Sequence, residues 1–184
     1  MSSSNPIDQL VKAAPEEISA VVKQRSNLIK LGIKGPDLAT WANFHEFELP
    51  DSVYDCLPVG NDGILARVGD SELILESTPE DSLRHRFEEA LPKASGVYRV
   101  EQQSITLVIE GDYALPVLSQ TCGVELERAP VGQVLYTRVA GASCAIIPQR
   151  EITNRCFRLW VDYTLAHYMW ETLAEIIYDL SRPS

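Results

Sequence analysis

What most constrains this chain is a pattern that its sequence carries twice. Residues 27–41 and 104–118 can be laid over each other. Each is an apolar, partly alternating stretch, then a charged residue, then glycine, then an apolar helical pattern. Leu31 falls on Leu107, Ile33 on Ile109 and Gly35 on Gly111. Alternation reads as a half-buried strand, and three- and four-residue steps read as a helix. Glycine suits the sharp exit between them because it tolerates positive φ and close backbone approach. Asp37 and Asp112 follow where a carboxylate can cap free helix N–H groups.

The parallel continues downstream. Glu48-Leu49 recurs as Glu125-Leu126, and Pro58-Val59-Gly60 as Pro130-Val131-Gly132. Strands ending in Arg67-Val68 and Arg138-Val139 turn at Gly69 and Gly141 into Leu73-Ile74-Leu75 and Ala145-Ile146-Ile147. A helix follows in both halves. The first covers residues 79–91, with Leu83, Phe87 and Ala90-Leu91 on one face. The second covers about 163–180, with Asp162 as its cap and Leu165, Tyr168, Met169, Leu173, Ile176, Ile177 and Leu180 on one face. Trp170 falls off that face, either as an exposed anchor for a partner or as a second core stripe against the sheet. The second half also inserts one extra strand, residues 156–161, before its helix.

Each half therefore reads strand, helix, strand, strand, helix. The predicted fold is α+β: duplicated split β-α-β (ferredoxin-like) repeats over 27–95 and 96–184, with helices on one face of an antiparallel sheet. Residues 1–26 read as a leader with one short helix. That helix opens at Pro15-Glu16-Glu17, where a proline and acids are favoured, and carries Ile18, Val21 and Val22. The competing explanation of the parallel is that strand-turn-strand patterns recur in any α+β chain.

Composition sets the class of partner. The net charge of −10 repels phosphate backbones, and no run of Lys and Arg offsets it, so nucleic acid is excluded as the expected partner. The start, Met1-Ser2-Ser3-Ser4-Asn5, lacks the charged and apolar regions of a secretory signal. No apolar stretch approaches the ~20 residues that span a bilayer. The expected compartment is the cytoplasm, with no membrane partner.

The chemistry-bearing residues are dispersed. His85 lies between Arg84 and Arg86, His167 lies between Ala166 and Tyr168 in the last helix, and His45 stands at a helix end. No H-x-x-x-H spacing occurs and no metal site is expected. Cys56, Cys122, Cys144 and Cys156 form no C-x-x-C pair, and apolar-flanked cysteines of this kind read as small buried hydrophobes. Cys122 falls at a helix C-terminus, which disfavours a thiolate. No nucleophile elbow, Walker loop or dinucleotide fingerprint is present. Gly60-Asn61-Asp62-Gly63 reads as a turn. No catalytic residue is assigned.

The ordered stretches from Ser26 to Ile177 resemble the gamma subunit of heterotetrameric sarcosine oxidase, a relative of the folate-binding domain of the glycine-cleavage aminomethyltransferase (T-protein). The residues that carry the resemblance are Leu31-Gly32-Ile33-Lys34-Gly35, Glu48-Leu49-Pro50, the hairpin from Arg67 to Leu75, Thr106-Leu107-Val108-Ile109-Glu110-Gly111, and the run from Leu118 to Leu126. Val131-Gly132-Gln133, Thr137, Phe157-Arg158-Leu159-Trp160-Val161 and Tyr168-Met169-Trp170-Glu171-Thr172-Leu173 complete it. The resemblance implies a two-repeat aminomethyltransferase folate-binding-domain-like fold. It implies a place in a four-subunit flavoenzyme complex that oxidatively demethylates N-methyl amines or amino acids. FAD, FMN and NAD would sit in the alpha and beta partner subunits, and tetrahydrofolate would accept the one-carbon unit.

Two departures bear on folate. Catalytic relatives carry paired aspartates after a glycine-rich turn; in the nearest stretch here, from Asp62, Ala66 and Arg67 occupy those places. Those relatives also use a glutamate to hold the pterin amino groups. The closest position here is Asn154, with Glu151 nearby, and an amide cannot accept two hydrogen bonds as a carboxylate does. Glu151 and Asn154 are therefore the candidate vestigial pterin position. The resemblance points to a non-catalytic assembly subunit with no activity alone. The alternative is a stand-alone tetrahydrofolate-binding protein of the same fold, with Glu151 replacing the missing ligand.

Overall fold

The computed structural model of the protein describes residues 7–149 and 156–182. The chain begins with α1 (Asp8–Ala13), α2 (Glu16–Val21) and β1 (Val22–Gln24). It continues through β2 (Ile29–Lys34), α3 (Leu38–Phe44), β3 (Cys56–Val59), β4 (Gly63–Gly69), β5 (Glu72–Ser77), α4 (Ser82–Ala90) and β6 (Tyr98–Val100). The remainder is β7 (Ser104–Glu110), α5 (Ala114–Thr121), β8 (Leu135–Val139), β9 (Ala142–Pro148), β10 (Cys156–Asp162) and α6 (Ala166–Ser181). No helix among the described residues is long and apolar enough to cross a membrane.

These elements form two compact units: residues 27–102, and residues 1–26 together with 103–184. Each holds one five-stranded sheet, in the orders β3-β4-β5-β2-β6 and β1-β7-β10-β9-β8, and every pairing is antiparallel. The predicted α+β architecture, with helices packed on antiparallel sheets, is the observed one.

In the 27–102 unit, alternation along β2 places Leu31 and Ile33 on one face. There they join Leu65, Leu73 and Leu75 of the sheet, Leu38 and Trp41 of α3, and Phe87 of α4 in one core. Trp41, Phe47 and Phe87 meet at ring-centroid distances of 4.4–5.6 Å, the offset and edge-on range that aromatic quadrupoles favour. Asp81 caps α4 as an acceptor, taking N–H groups of Leu83 at 2.9 Å and Arg84 at 3.2 Å. The other unit is built the same way, with Leu107, Ile109, Phe157 and Leu159 facing α5 and α6.

Several expectations are corrected here. Both halves run strand, helix, strand, strand, strand, helix, so residues 156–161 are not an insertion. β10 lies between β7 and β9 just as β5 lies between β2 and β4. The strand missed in the first half is β3. It is short, carries Pro58 at the sheet edge and, among the described residues, pairs only with β4. Proline reads as turn chemistry in sequence, yet an edge strand tolerates it because one side of its ladder is empty. The two Pro-Val-Gly segments are thus not equivalent, since Pro58 lies in β3 and Pro130 lies before β8.

Within the expected leader, residues 7–24 do not stand apart. Val22, Lys23 and Gln24 pair with Ile109, Val108 and Leu107, which makes β1 the edge strand beside β7. Ile7, Ile18, Val21 and Val22 are buried in the same core as α5 and α6. The unit boundary falls at 102/103 rather than 95/96, because β6 pairs back onto β2.

The helix caps differ from expectation as well. Asp37 occupies the N-cap position of α3 without a side-chain hydrogen bond, and α5 starts two residues beyond Asp112, with Tyr113 as its N-cap. Asp162 does cap, accepting from Thr164 N at 2.8 Å and Thr164 Oγ1 at 2.5 Å. These bonds hold its carboxyl below the usual range. A 3-10 turn over Tyr163–Leu165 then leads into α6. The buried face of α6 is Ala166, Met169, Trp170, Leu173 and Ile177. Trp170 is core, 3% exposed, while Tyr168 points outward and donates its hydroxyl to Ala140 O at 2.6 Å.

Candidate functional site

In the 27–102 unit, the sheet face opposite the helices is built by the alternate residues of β2, β4 and β5. Lys30 lies directly across from Glu76, Ile64 across from Glu76, and Ala66 across from Ile74. Lys30 Nζ and a Glu76 carboxylate oxygen are 3.0 Å apart, with side chains only 2% and 0% exposed. Glu76 is therefore spent on an internal cation.

Ala66 and Arg67 stand where the resemblance places a pair of acids. The first is a buried methyl. The second sends its guanidinium to backbone oxygens: Nη1 donates to Asp51 O at 3.2 Å and Pro50 O at 3.4 Å, and Nη2 donates to Asp70 O at 3.3 Å. Arg67 thereby staples the loop after α3 to the β4–β5 turn. Neither side chain can orient a reacting nitrogen as a carboxylate would.

The second sheet carries Arg158 on β10, 1% exposed, between Val108 of β7 and Ile147 of β9. Gln149 lies beside it. With its amide oriented so that the oxygen faces the guanidinium, it accepts from Nε at 3.0 Å and Nη2 at 3.2 Å. Gln149 N also donates to Cys156 O at 2.8 Å, and Gly132 N donates to Pro148 O at 2.8 Å. Gln149 and Cys156 flank residues 150–155 in sequence. Glu151 and Asn154, the candidate pterin position, lie in that segment, outside the described residues. On the same face Lys23 of β1 forms an ion pair with Glu110 of β7.

The remaining reactive side chains sit apart. His45 is at the C-cap of α3, its ring against Trp41, Phe44 and Phe47. His85 is exposed, and His167 Nδ1 lies 3.6 Å from Glu171 one turn on. Cys122, Cys144 and Cys156 are buried and Cys56 is half-buried. Burial, with Cys122 nearby, pushes the Cys144 thiol up to about 12. Among the described residues no group of three or more His, Cys, Asp or Glu side chains converges on a metal position.

Sequence reasoning missed the buried charges Lys30, Glu76, Arg84 and Arg158. A signal was present in one case: Arg158 interrupts an otherwise apolar strand, Phe157 to Val161, and an arginine there must be partnered to be tolerated.

The two sheets, their helices and their strand orders define an α+β chain of the aminomethyltransferase folate-binding-domain architecture. One chain of the heterotetrameric sarcosine oxidase from Corynebacterium sp. U-96, in complex with pyrrole 2-carboxylate, superposes with a TM-score of 0.77 at 18% identity. The match covers 98% of this chain and 97% of that one. The glycine cleavage system aminomethyltransferase T from Bartonella henselae superposes with a TM-score of 0.59 at 15% identity, over 86% of this chain and 47% of that one. The present chain thus spans about half the length of that transferase. No family model matches the sequence, and no curated protein is significantly similar to it. At these identities the likeness is one of fold, and at that level the resemblance read from the sequence holds.

Proposed function

We propose that this chain is a non-catalytic, gamma-type assembly subunit of a sarcosine oxidase-like flavoenzyme that oxidatively demethylates N-methyl amines or amino acids. The observation that carries the reading is the end-to-end match to one chain of a four-subunit enzyme, 98% of one and 97% of the other, against about half of a transferase that has further chain beyond the shared fold. The internal pairing of Lys30 with Glu76 supports it, since charges spent inside the fold are not poised for acid–base work. In this reading FAD, FMN and NAD belong to alpha- and beta-type partners.

Native purification of a tagged chain from its own cells is the test. Large, flavin-bearing partners should come down with it in fixed proportion, and a lone, flavin-free species would refute the reading. Titration calorimetry of the isolated chain with tetrahydrofolate separates the stand-alone folate reading, in which Glu151 and Asn154 meet the pterin. Heat at micromolar folate that disappears in Glu151→Ala would favour it, and no heat at high micromolar folate would remove it.

A further inference from the structure

The two edges of the β3-β4-β5-β2-β6 sheet are not alike. β3 carries Pro58, which blunts strand addition. β6 has no proline, pairs among the described residues with β2 alone, and exposes Tyr98 to 62%. Beside β6 a groove of about 440 Å³ runs toward the end of α4, with Leu91, Pro92, Ala94 and Val97 along it and Glu88 and Arg99 at its charged end.

Two arginines, Arg84 and Arg99, meet Glu88 at that end, with Asp81 also acting on the first of them. Arg84 Nη1 lies 3.4 Å and Arg99 Nη1 3.9 Å from the same oxygen of Glu88. Arg84 is buried and its other donors are engaged, Nε with Ser77 Oγ at 3.1 Å and Nη2 with Ile29 O at 2.6 Å. Two guanidiniums thus share one carboxylate. The Arg99 side chain is 59% exposed, and at 3.9 Å it is loosely held.

We propose that β6 and this groove receive an extended segment of a partner subunit, added as a sixth strand, with an apolar side chain in the groove and a carboxylate on Arg99. Because side chains two apart share a face, the segment carries these residues at positions i and i+2. Backbone pairing supplies the affinity and the two side chains the specificity. A second copy of this chain is a poor occupant: a two-fold pairing of β6 on β6 brings Arg99 toward Arg99, between molecules each of charge −10. This inference rests on the subunit reading above.

The test compares hydrogen exchange of the isolated chain with that of the flavin-bearing complex recovered through the tagged chain. Amides of residues 97–100 should exchange at least about tenfold more slowly in the complex. Arg99→Glu and Ala94→Trp should each weaken assembly about tenfold or more while the isolated chain still melts cooperatively. If the complex forms, both variants assemble like the wild type and these amides keep their isolated rates, the inference falls and the subunit reading stands. If no flavin-bearing complex is recovered, the subunit reading falls and takes the inference with it. Protection of 97–100 in a self-dimer of the isolated chain would overturn the assignment to a partner.

Discussion

Replacing Lys30 by methionine should destabilise the 27–102 unit far more than removing both members of its ion pair. At 3.0 Å and an effective dielectric constant near 20, the attraction is about 5 kcal/mol. Much of it repays the desolvation of two charges that are 2% and 0% exposed. Lys30→Met keeps most of the apolar stem but removes the ammonium beside the Glu76 carboxylate on a buried sheet face, which should cost about 3–5 kcal/mol. Glu76→Leu removes the carboxylate beside the ammonium and should cost a similar amount. The double variant removes both charges and should lie within about 1 kcal/mol of the wild type, giving a coupling of at least about 3 kcal/mol. Urea denaturation followed by Trp41 fluorescence, in a Trp160→Phe/Trp170→Phe background, reports on the unit that holds the pair. Single variants that each cost less than about 1 kcal/mol, or costs that simply add, would refute the idea that the face is closed by mutual neutralisation.

Three further outcomes are expected. Gly35→Ala should cost more than about 2 kcal/mol, because the new Cβ would lie 2.0 Å from Gly96 O and 2.7 Å from Val97 Cα. Its counterpart Gly111→Ala, at φ +84° with nothing within 4 Å, should cost only the left-handed strain of about 1–2 kcal/mol; thermal melts of the two variants compare them. Trp170→Ala should lose about 3–5 kcal/mol in chemical denaturation of the isolated chain, and a loss under 1 kcal/mol would return Trp170 to the surface. The Cys144 thiol, raised to about 12 from 9.0, should resist alkylation at pH 8 while Cys56 reacts. Since the folded value is the higher one, the thiol's contribution is intact below pH 9 and fades as pH rises toward 12. The alkaline stability loss of Cys144→Ala should therefore be shallower than that of the wild type.

The legible parts of the fold were those written in local periodicity. The strand-glycine-helix exits at Gly35 and Gly111, the cap at Asp162 and the stripe Met169-Leu173-Ile177 all depend on neighbours within a turn or two. What escaped depends on partners far away in sequence. β1 and β3 are three and four residues long, too short for alternation to declare itself, and each exists because a longer strand offers it a ladder. Trp170 was ambiguous for a similar reason: the width of a helix's buried face is set by what packs on it, which one helix cannot report. The charges are the sharpest case. Lys30 reads as a solvent-facing residue beside Ile29 and Leu31, and only its register against Glu76 reveals a buried pair. The candidate pterin position was legible only through resemblance. What the described structure adds is the Gln149–Cys156 hydrogen bond between the two residues that flank that segment in sequence, together with the reason Ala66 and Arg67 cannot act as acids.

The edge strand β1 has a kinetic consequence. Lys23 and its partner Glu110 are 87 residues apart, and the whole 27–102 unit is encoded between them. At roughly 5–20 residues per second, roughly 4–17 s of synthesis separate the two. During that time Val21 and Val22 have emerged with no sheet to join, while the intervening unit has all of its own strands. The 27–102 unit can therefore complete its sheet while β1 and the apolar Val21 and Val22 still await β7.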